Sequence, residues 1–461
     1  MTKNDLNPLG SEPILPLLAR FAIPSIISML VSALYNMVDQ FFIGRSVGML
    51  GNAATNVAFP LTITCTALSL LCGIGASSNF GIRLGEGKKE EAAHFAGKAI
   101  TMMILLGIAL FLLARLTLTK MLMFFGATNE ILEYARIYTG ITSLGFPFLI
   151  LTTGASSLIR ADGSPRFSMF CTLVGAILNT ILDPILIFGF DMGMAGAAWA
   201  TVIGQVVSAC LVLGYLKRFH TVTLHKEHFL PSFTYFRRIA SLGMTPFCNQ
   251  MAMMVVQIVL NNTLTYYGAS SSYGSEIPLA CAGIISKVNM LYFALIIGIS
   301  QGIQPIISFN YGAKNYLRVR NTYLLAVKLG TCISVVAFFC FQLFPRQIIG
   351  FFGSGSEEYF HFAEQYFRIY LFCTFLNQVQ PLTGNFFTSI GKPIKGIFLS
   401  LTRQILFLLP LLVILPLFFG IDGVMFAAPV ADLTAGALAG ILAGRELKQL
   451  SAMEKQKASL A

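Results

Sequence analysis

The fold of this chain is decided by Asn179-Thr180-Ile181-Leu182-Asp183-Pro184-Ile185-Leu186-Ile187-Phe188-Gly189, an apolar run that contains an amide, a carboxylate and a proline. On a helix Asn179 and Asp183 lie one turn apart on one face, and Pro184 lacks the N–H that would bond the carbonyl of Thr180. A carboxylate at the centre of a bilayer costs about 2.5 to 3.5 kcal/mol, so it normally faces a bundle interior or a wet cavity. The run therefore predicts either part of an ion pathway or a buried Asp that ties helices together.

The composition of the whole chain is that of a membrane protein. Hydrophobic residues make up 56% of the 461 residues and charged residues only 11%, far from the fractions usual in soluble domains. Apolar runs long enough to cross a bilayer recur, and the alternation typical of a β-barrel is missing. We therefore expect an all-α polytopic membrane protein with twelve transmembrane helices, at residues 16–43, 54–82, 98–118, 131–159, 167–189, 194–216, 238–266, 279–308, 321–344, 361–389, 396–419 and 423–444.

Glycine and proline residues repeat in the same order in the two halves of the chain. Gly163-Ser164-Pro165 lines up with Gly391-Lys392-Pro393, and the loop from Gly193 to Gly196 lines up with the loop from Gly420 to Gly423. The repeat predicts two pseudo-symmetric six-helix halves around a central cleft, as in transporters built from parallel repeats. We expect an N-terminal half at 1–220 that carries a cation site, a cytoplasmic linker at 221–237 and a C-terminal half at 238–461.

Basic residues concentrate in the connections that follow even-numbered spans, for example Arg83, Arg166, Lys314 and Lys392. The positive-inside rule then places both termini in the cytoplasm. The location expected for this multi-pass protein is the bacterial inner (plasma) membrane. The net charge of +11 comes from these scattered loops, so no nucleic-acid partner is expected. We expect the lipid bilayer as surroundings and a monomer as the working unit.

Two carboxylates in the predicted spans lie at similar depth. Asp39 is about 28 Å of helix beyond the basic residue Arg20, and Asp183 about 26 Å beyond Arg166. Because two carboxylates in a low dielectric are not both easily ionised, the pair is suited to holding a proton, and its oxygens are equally suited to Na⁺. An interfacial, purely structural Asp39 is the alternative. Since Asn261 and Pro410 or Leu411 stand at the repeated positions, intramembrane carboxylates are expected in the first half only.

These features resemble the MATE multidrug exporters, in particular their DinF/MepA-type branch, over nearly the whole chain. The resemblance rests on the two six-helix halves, on Pro24, Tyr35 and Asp39 in the first span, and on Asn179-x-x-x-Asp183-Pro184 in the fifth. It implies a cation-binding network, lined by Tyr35 and Tyr138, with Pro24 and Pro184 as hinges. The residues implied to bind the cation, H⁺ or Na⁺, are Asp39, Asn179, Asp183 and Thr201.

Members of the NorM type carry acids in the seventh and tenth spans, where this chain has amides. This departure favours coupling through the N-terminal half alone. The amides either line the opposite wall of the cleft or bond helices together, and the sequence leaves both roles open. They are Gln250, Gln257, Asn261, Asn377 and Gln380.

Motifs for other energy sources and for catalysis do not appear. There is no P-loop for ATP and no hydrolase motif, so we expect no enzyme, no cofactor and an ion gradient as the energy source. The spacing of His220, His225 and His228 would suit a metal, but a solvated basic linker is the favoured interpretation.

The favoured function is a secondary antiporter that exports organic cations or amphipathic drugs in exchange for H⁺ or Na⁺. A flippase for lipid-linked oligosaccharides is the first alternative; it should line its cleft with Arg and Lys for phosphate, and the predicted spans are nearly free of them. A passive channel or membrane scaffold is the second alternative. It would neither move a solute uphill nor depend on Asp183.

Overall fold

The computed structural model describes residues 7–274, 276–352 and 356–460, and within them the chain is helical with no strand. Twelve helical elements follow one another in the expected places, which confirms the all-α polytopic fold. Shorter helices outside this set are Pro8–Ser11, Lys226–Phe229 and Pro345–Phe352. The twelve are α1 (Ile14–Ser46), α2 (Met49–Gly85), α3 (Lys89–Phe124), α4 (Asn129–Ala161), α5 (Pro165–Gly189), α6 (Gly193–Leu216), α7 (Phe233–Ala269), α8 (Glu276–Gly312), α9 (Tyr316–Leu343), α10 (Glu357–Tyr370 with Val379–Ser389), α11 (Pro393–Phe419) and α12 (Ile421–Leu460).

Helix α10 is broken in the middle. In the described ranges, eleven helices are long and apolar enough to cross a membrane by themselves, and α10 is the twelfth element because its two pieces, joined through the 3-10 turn Thr374–Leu376, together cover the predicted tenth span. The break frees backbone carbonyls inside the bundle. The hydroxyl of Tyr292 donates a hydrogen bond to the carbonyl of Thr374 (3.1 Å), so one of these carbonyls is satisfied by a side chain.

The helices pack as two related halves. In the first half α1 packs on α5 and α2 on α4; in the second half α7 packs on α11 and α8 on α10. Between the halves α1 packs on α8 and α2 on α7, which is the exchange of partners that a pseudo-two-fold axis produces. This arrangement confirms the two pseudo-symmetric halves. The division at residues 220 and 238 stays a prediction; α7 begins at Phe233, so the end of the expected linker is helical.

Glycines bring the two halves into backbone contact from the middle of α2 to its last turn. A Cβ on Gly243 of α7 would lie 1.8 Å from the carbonyl oxygen of Leu71, and a Cβ on Gly85 would lie 2.0 Å from that of Phe309. Beside this contact Gln304 of α8 donates across the interface to the carbonyl of Ile74 (3.2 Å). We call this end of the bundle, which carries the basic connections, the basic end; here the halves are closed against each other.

A methyl group at Gly243 should therefore loosen the contact between the halves. We expect Gly243→Ala to destabilise the protein by about 1 to 3 kcal/mol, because the overpacked atom meets backbone that cannot rotate away. Gly440→Ala is the matched control: nothing lies within 4 Å of its added Cβ, and Ala favours the helix by about 1 kcal/mol. Thermal unfolding in detergent measures both, and equal midpoints for Gly243→Ala and the parent chain would contradict the packing argument.

Candidate functional site

Asp39 of α1 and Asp183 of α5 are buried where these two helices pack together. Asp39 is 8% exposed and Asp183 is fully buried. Oδ1 of Asp39 and both carboxylate oxygens of Asp183 find no hydrogen-bond partner among the described residues. Buried polar atoms are normally paired, and an unpaired buried charge is expensive. The two side chains therefore need a proton or a bound cation.

The other residues of the predicted network surround this pair. Asn179 is 3% exposed; its Nδ2 donates to Oγ1 of Thr201 (3.3 Å), while its Oδ1 has no partner in the described part of the chain. Tyr35 and Tyr138 both lie within electrostatic range of the two carboxylates. The structure thus brings together six residues, called the acid cluster below: Tyr35, Asp39, Tyr138, Asn179, Asp183 and Thr201.

A cavity of about 260 Å³ adjoins the acid cluster. Its wall includes Tyr35, Asn179 and Thr201, so three members of the cluster also face the cavity, whereas Asp39 and Asp183 lie behind them. The rest of the wall comes from α1, α2, α4, α5 and α6, with Gln250, Ile297 and Gln301 contributed by the second half. We call it the N-half cavity. The cavity reaches the acid cluster through the side chains of Tyr35, Asn179 and Thr201.

The two predicted hinge residues lie in different helical settings. α1 continues through Pro24 without a break, and Pro24 is buried; the Ser28 hydroxyl donates to its carbonyl (2.9 Å). Pro184 ends the regular α-helical part of α5, and the next residues, Ile185–Gly189, form a π-helical turn. Such turns are frequent at functional sites. The hinge roles stay predictions.

Comparison with known proteins identifies the family. A sequence model of the MatE family matches residues 24–185 and 250–414, one block in each half. The chain belongs to the MATE family. The resemblance noted from the sequence is thereby confirmed, and this MATE protein is a multi-pass transporter by family.

Its relatives match over almost their full length. The chain is 25% identical to the multidrug export protein MepA of Staphylococcus saprophyticus, over 92% of the chain and 91% of that protein, and 26% identical to MepA of Staphylococcus aureus, over 91% of each. Among solved structures, a MATE in complex with MaL6 is 25% identical with a TM-score of 0.88, covering 97% of this chain and 98% of that one. An outward-facing MATE transporter of the MOP superfamily, 23% identical, also has a TM-score of 0.88, over 96% and 99%.

The second half of the MATE protein holds a smaller cavity of about 120 Å³, which shares Gln250 and Gln301 with the N-half cavity. We call it the C-half cavity. Continuing the register of Gly163 and Gly391 along the helices, five wall residues of one cavity correspond to five wall residues of the other, so the cavities are related by the repeat. Thr152, Ser156, Ser157, Arg160 and Thr172 correspond to Gln380, Gly384, Asn385, Thr388 and Ser400, respectively.

The predicted amides of the second half take both of the roles left open by the sequence. Gln250 and Gln380 line the C-half cavity, and Gln380 also donates to the carbonyl of Leu399 (3.0 Å), which ties α10 to α11. Gln257 donates to Oδ1 of Asn261 (2.9 Å) within α7. Asn377 is buried and lies near an acid that the sequence interpretation overlooked.

That acid is Asp432, and it shows that the expectation of intramembrane carboxylates in the first half only is wrong. Asp432 lies inside α12, is 2% exposed, and accepts a hydrogen bond at 2.6 Å from Nε of Arg403 on α11. The comparison between halves tested only the positions opposite Asp39 and Asp183, whereas Asp432 stands opposite Gln205. The sequence does contain a sign of this pair, because Arg403 and Asp432 are opposite charges in two consecutive predicted spans.

Of the three linker histidines, His220 and His225 are exposed, as a solvated linker predicts, and His228 is the exception. His228 is fully buried; its Nε2 is 2.7 Å from Glu90 on α3, and its Nδ1 accepts the N–H of His225 (2.9 Å). Glu90, His94 and His228 are close enough to suggest a metal site, but Nδ1 as an acceptor puts the proton of neutral His228 on Nε2, which then donates to Glu90. This part of the linker is docked on α3, not solvated.

Replacing one partner of the Arg403–Asp432 pair should destabilise the protein more than replacing both partners with apolar residues. We expect Asp432→Asn to cost about 3 to 5 kcal/mol, since it leaves a buried guanidinium without a counter-charge, and the double change Arg403→Met with Asp432→Leu to recover most of that loss. Thermal unfolding midpoints of the single and double variants test this. Asp422→Asn, at an exposed position of the same helix, is the control, and a double variant no better than Asp432→Asn would contradict the ion-pair interpretation.

Proposed function

We propose that this MATE protein is a secondary active multidrug exporter, in which H⁺ or Na⁺ that enters the acid cluster drives the export of organic cations or amphipathic drugs. Its relatives are named multidrug export proteins, which supports a drug-like solute. The coupling ion is argued from the chain itself. Both termini and the basic end face the cytoplasm in this proposal, as the loop charges indicate.

The observation that carries the proposal is the group of unpaired oxygens beside the N-half cavity. Asp39, Asp183 and Asn179 each hold at least one buried oxygen without a hydrogen-bond partner in the described structure. A proton or Na⁺ supplies the missing partner, and a cationic solute in the cavity competes for the same negative charge. Ion and solute therefore exclude each other electrostatically.

Competition between ion and solute does not by itself exchange them across the membrane; it must be linked to a conformational change. A ligand shifts a two-state equilibrium by no more than its difference in affinity for the two states. In the proposed cycle the ion favours one arrangement of α1 and α5 and the solute favours the other, with Pro24 and Pro184 as the points where these helices bend. The closed contact at the basic end is the barrier that must open toward the cytoplasm.

Removal of the carboxylates should uncouple transport. In proteoliposomes that contain ethidium, a fluorescent organic cation, we expect an imposed proton or sodium gradient to drive efflux by the parent chain. Asp39→Asn and Asp183→Asn should reduce this efflux to the passive leak, because neither amide binds the coupling ion. Asp191→Asn is the control: Asp191 is exposed and has φ 54°, a conformation that Asn accepts.

The outcome separates the competing functions. Efflux under one gradient only identifies the coupling ion, and its loss in both variants supports the acid cluster. Undiminished uphill transport by Asp183→Asn would overturn the mechanism. Downhill movement alone, in the parent chain and both variants, would indicate the passive channel.

The hinge at Pro24 gives a kinetic prediction. Pro24→Ala restores an N–H donor to α1 and removes a helix penalty of about 3 kcal/mol, so the straight form should be overpopulated. We expect ethidium efflux about 10-fold slower with little change in equilibrium binding of ethidium, measured by fluorescence titration. Pro60→Ala, the same change inside α2, should leave the efflux rate unchanged; equal rates for Pro24→Ala and Pro60→Ala would contradict the hinge.

A further inference from the structure

Arg160 of α4 is a buried cation in the wall of the N-half cavity. It is 5% exposed and lines the cavity, and its contact with Ser168 places it toward the start of α5, away from the acid cluster. Its Nη2 donates to Ser157 (2.9 Å) and its Nη1 to Ser168 (3.3 Å). Its Nε is buried without an acceptor in the described structure.

No carboxylate balances this guanidinium within the described residues. The acid nearest to it in the sequence, Asp162, is engaged elsewhere: its oxygens accept the hydroxyl of Tyr215 (2.7 Å) and the backbone N–H groups of His220 (2.8 Å) and Thr221 (2.9 Å). The contrast with the second half is direct, because Arg403 there is paired with Asp432. Taking a cation out of water without a counter-charge is costly, so an anionic partner from outside the chain would lower the free energy of this site.

The surroundings of Arg160 suit a small oxygen anion. Hydroxyl groups of Ser156 and Ser157, about one turn from Arg160 on α4, also line the cavity. Thr152, two turns away along α4, lines it as well, and its Oγ1 is buried without a hydrogen-bond partner among the described residues. A guanidinium and hydroxyl donors together bind carboxylate well. A phosphate site normally gathers several cations or backbone N–H groups, and this wall offers one guanidinium.

Distance separates the guanidinium from the acid cluster. Ser168, which Arg160 bonds, and Asn179, which belongs to the cluster, lie about 16 Å apart along α5. The N-half cavity therefore has a positive group at one end and carboxylates near the other. A solute that carries both signs of charge fits this polarity better than a simple cation does.

We propose that Arg160 binds a carboxylate of the transported solute, so that the protein prefers zwitterionic amphiphiles, with an anionic and a cationic end, over cations of the same shape. The inference rests on the proposed function, since it takes the N-half cavity as the solute site. It adds a specificity-determining residue at the end of the cavity opposite the acid cluster.

Two dyes of nearly equal shape provide the test. Rhodamine 110 has a free carboxylate, and rhodamine 123 is its methyl ester. Fluorescence polarisation with the full-length protein in detergent measures the Kd of each dye without any ion gradient. We expect Arg160→Gln to weaken rhodamine 110 about 10- to 100-fold, the usual effect of losing a charged hydrogen bond, and to leave rhodamine 123 within about 2-fold. Arg160→Lys, which keeps the charge, should retain part of the preference for rhodamine 110.

Arg166→Gln is the matched control, because Arg166 is exposed in the first turn of α5 and the change should affect neither dye. Equal weakening of both dyes by Arg160→Gln, or no weakening of rhodamine 110, overturns the proposal. Should Arg160→Gln fail to remain folded, the parent chain supplies the test: benzoate should displace rhodamine 110 and leave rhodamine 123 bound, and displacement of both or neither overturns it. Failure of the proposed function would appear separately, as absent gradient-driven efflux with intact dye binding.

Discussion

Buried oxygen atoms without partners are the constraint on which the rest of this structure depends. In a bilayer a carboxylate is tolerated where the bundle shields it and where a proton or cation neutralises it. Asp39 and Asp183 meet the first condition through the packing of α1 on α5. Their unpaired oxygens have no partner among the described residues, and in the proposed mechanism an exchangeable ion meets the second condition. A fixed partner, such as an arginine, would have satisfied the same atoms and removed any reason for an ion to enter.

The second half illustrates that alternative within the same molecule. Where the N-half cavity has Gly175 and Gln205, the register of the repeat places Arg403 and Asp432, and the two side chains neutralise each other at 2.6 Å. Gly175 is in close contact with α6, since a Cβ there would lie 2.1 Å from the hydroxyl of Ser208. In the second half α11 instead contains the π-helical turn Thr402–Leu408, and the cavity is smaller. The same fold thus has buried carboxylates without partners in the described structure of its first half and a buried carboxylate paired with an arginine in its second half.

The predictability of these features from sequence depends on how local their cause is. Hydropathy is a property of each segment, so eleven of the predicted spans appear as continuous helices in the described ranges and the tenth appears as two pieces. Helix rise put Asp39 and Asp183 at one level of the bundle, and both are buried where α1 packs on α5. The pairing of Arg403 with Asp432 depends on which faces of α11 and α12 meet, and no single-span pattern contains that information. The burial of His228 depends on Gly97 of α3, where a Cβ would lie 2.6 Å from the His228 carbonyl oxygen; only the docked loop reveals that need for glycine.

The role of Arg160 also depends on tertiary contacts that the local sequence does not contain. Arg160 falls just beyond the predicted fourth span, 131–159, so the expectation that the spans are nearly free of Arg and Lys does not include it; the structure places it in the wall of the N-half cavity. The chain turns back directly after it, at Asp162 and Gly163, and Asp162 fastens that turn to the linker through His220 and Thr221. With Asp162 bonded to Tyr215 and to the linker, Arg160 has no ion-pair partner in the described part of the chain, and it lines the cavity. The charge distribution along the proposed solute site therefore depends on the hydrogen bonds of Asp162 to the linker as well as on Asp39 and Asp183.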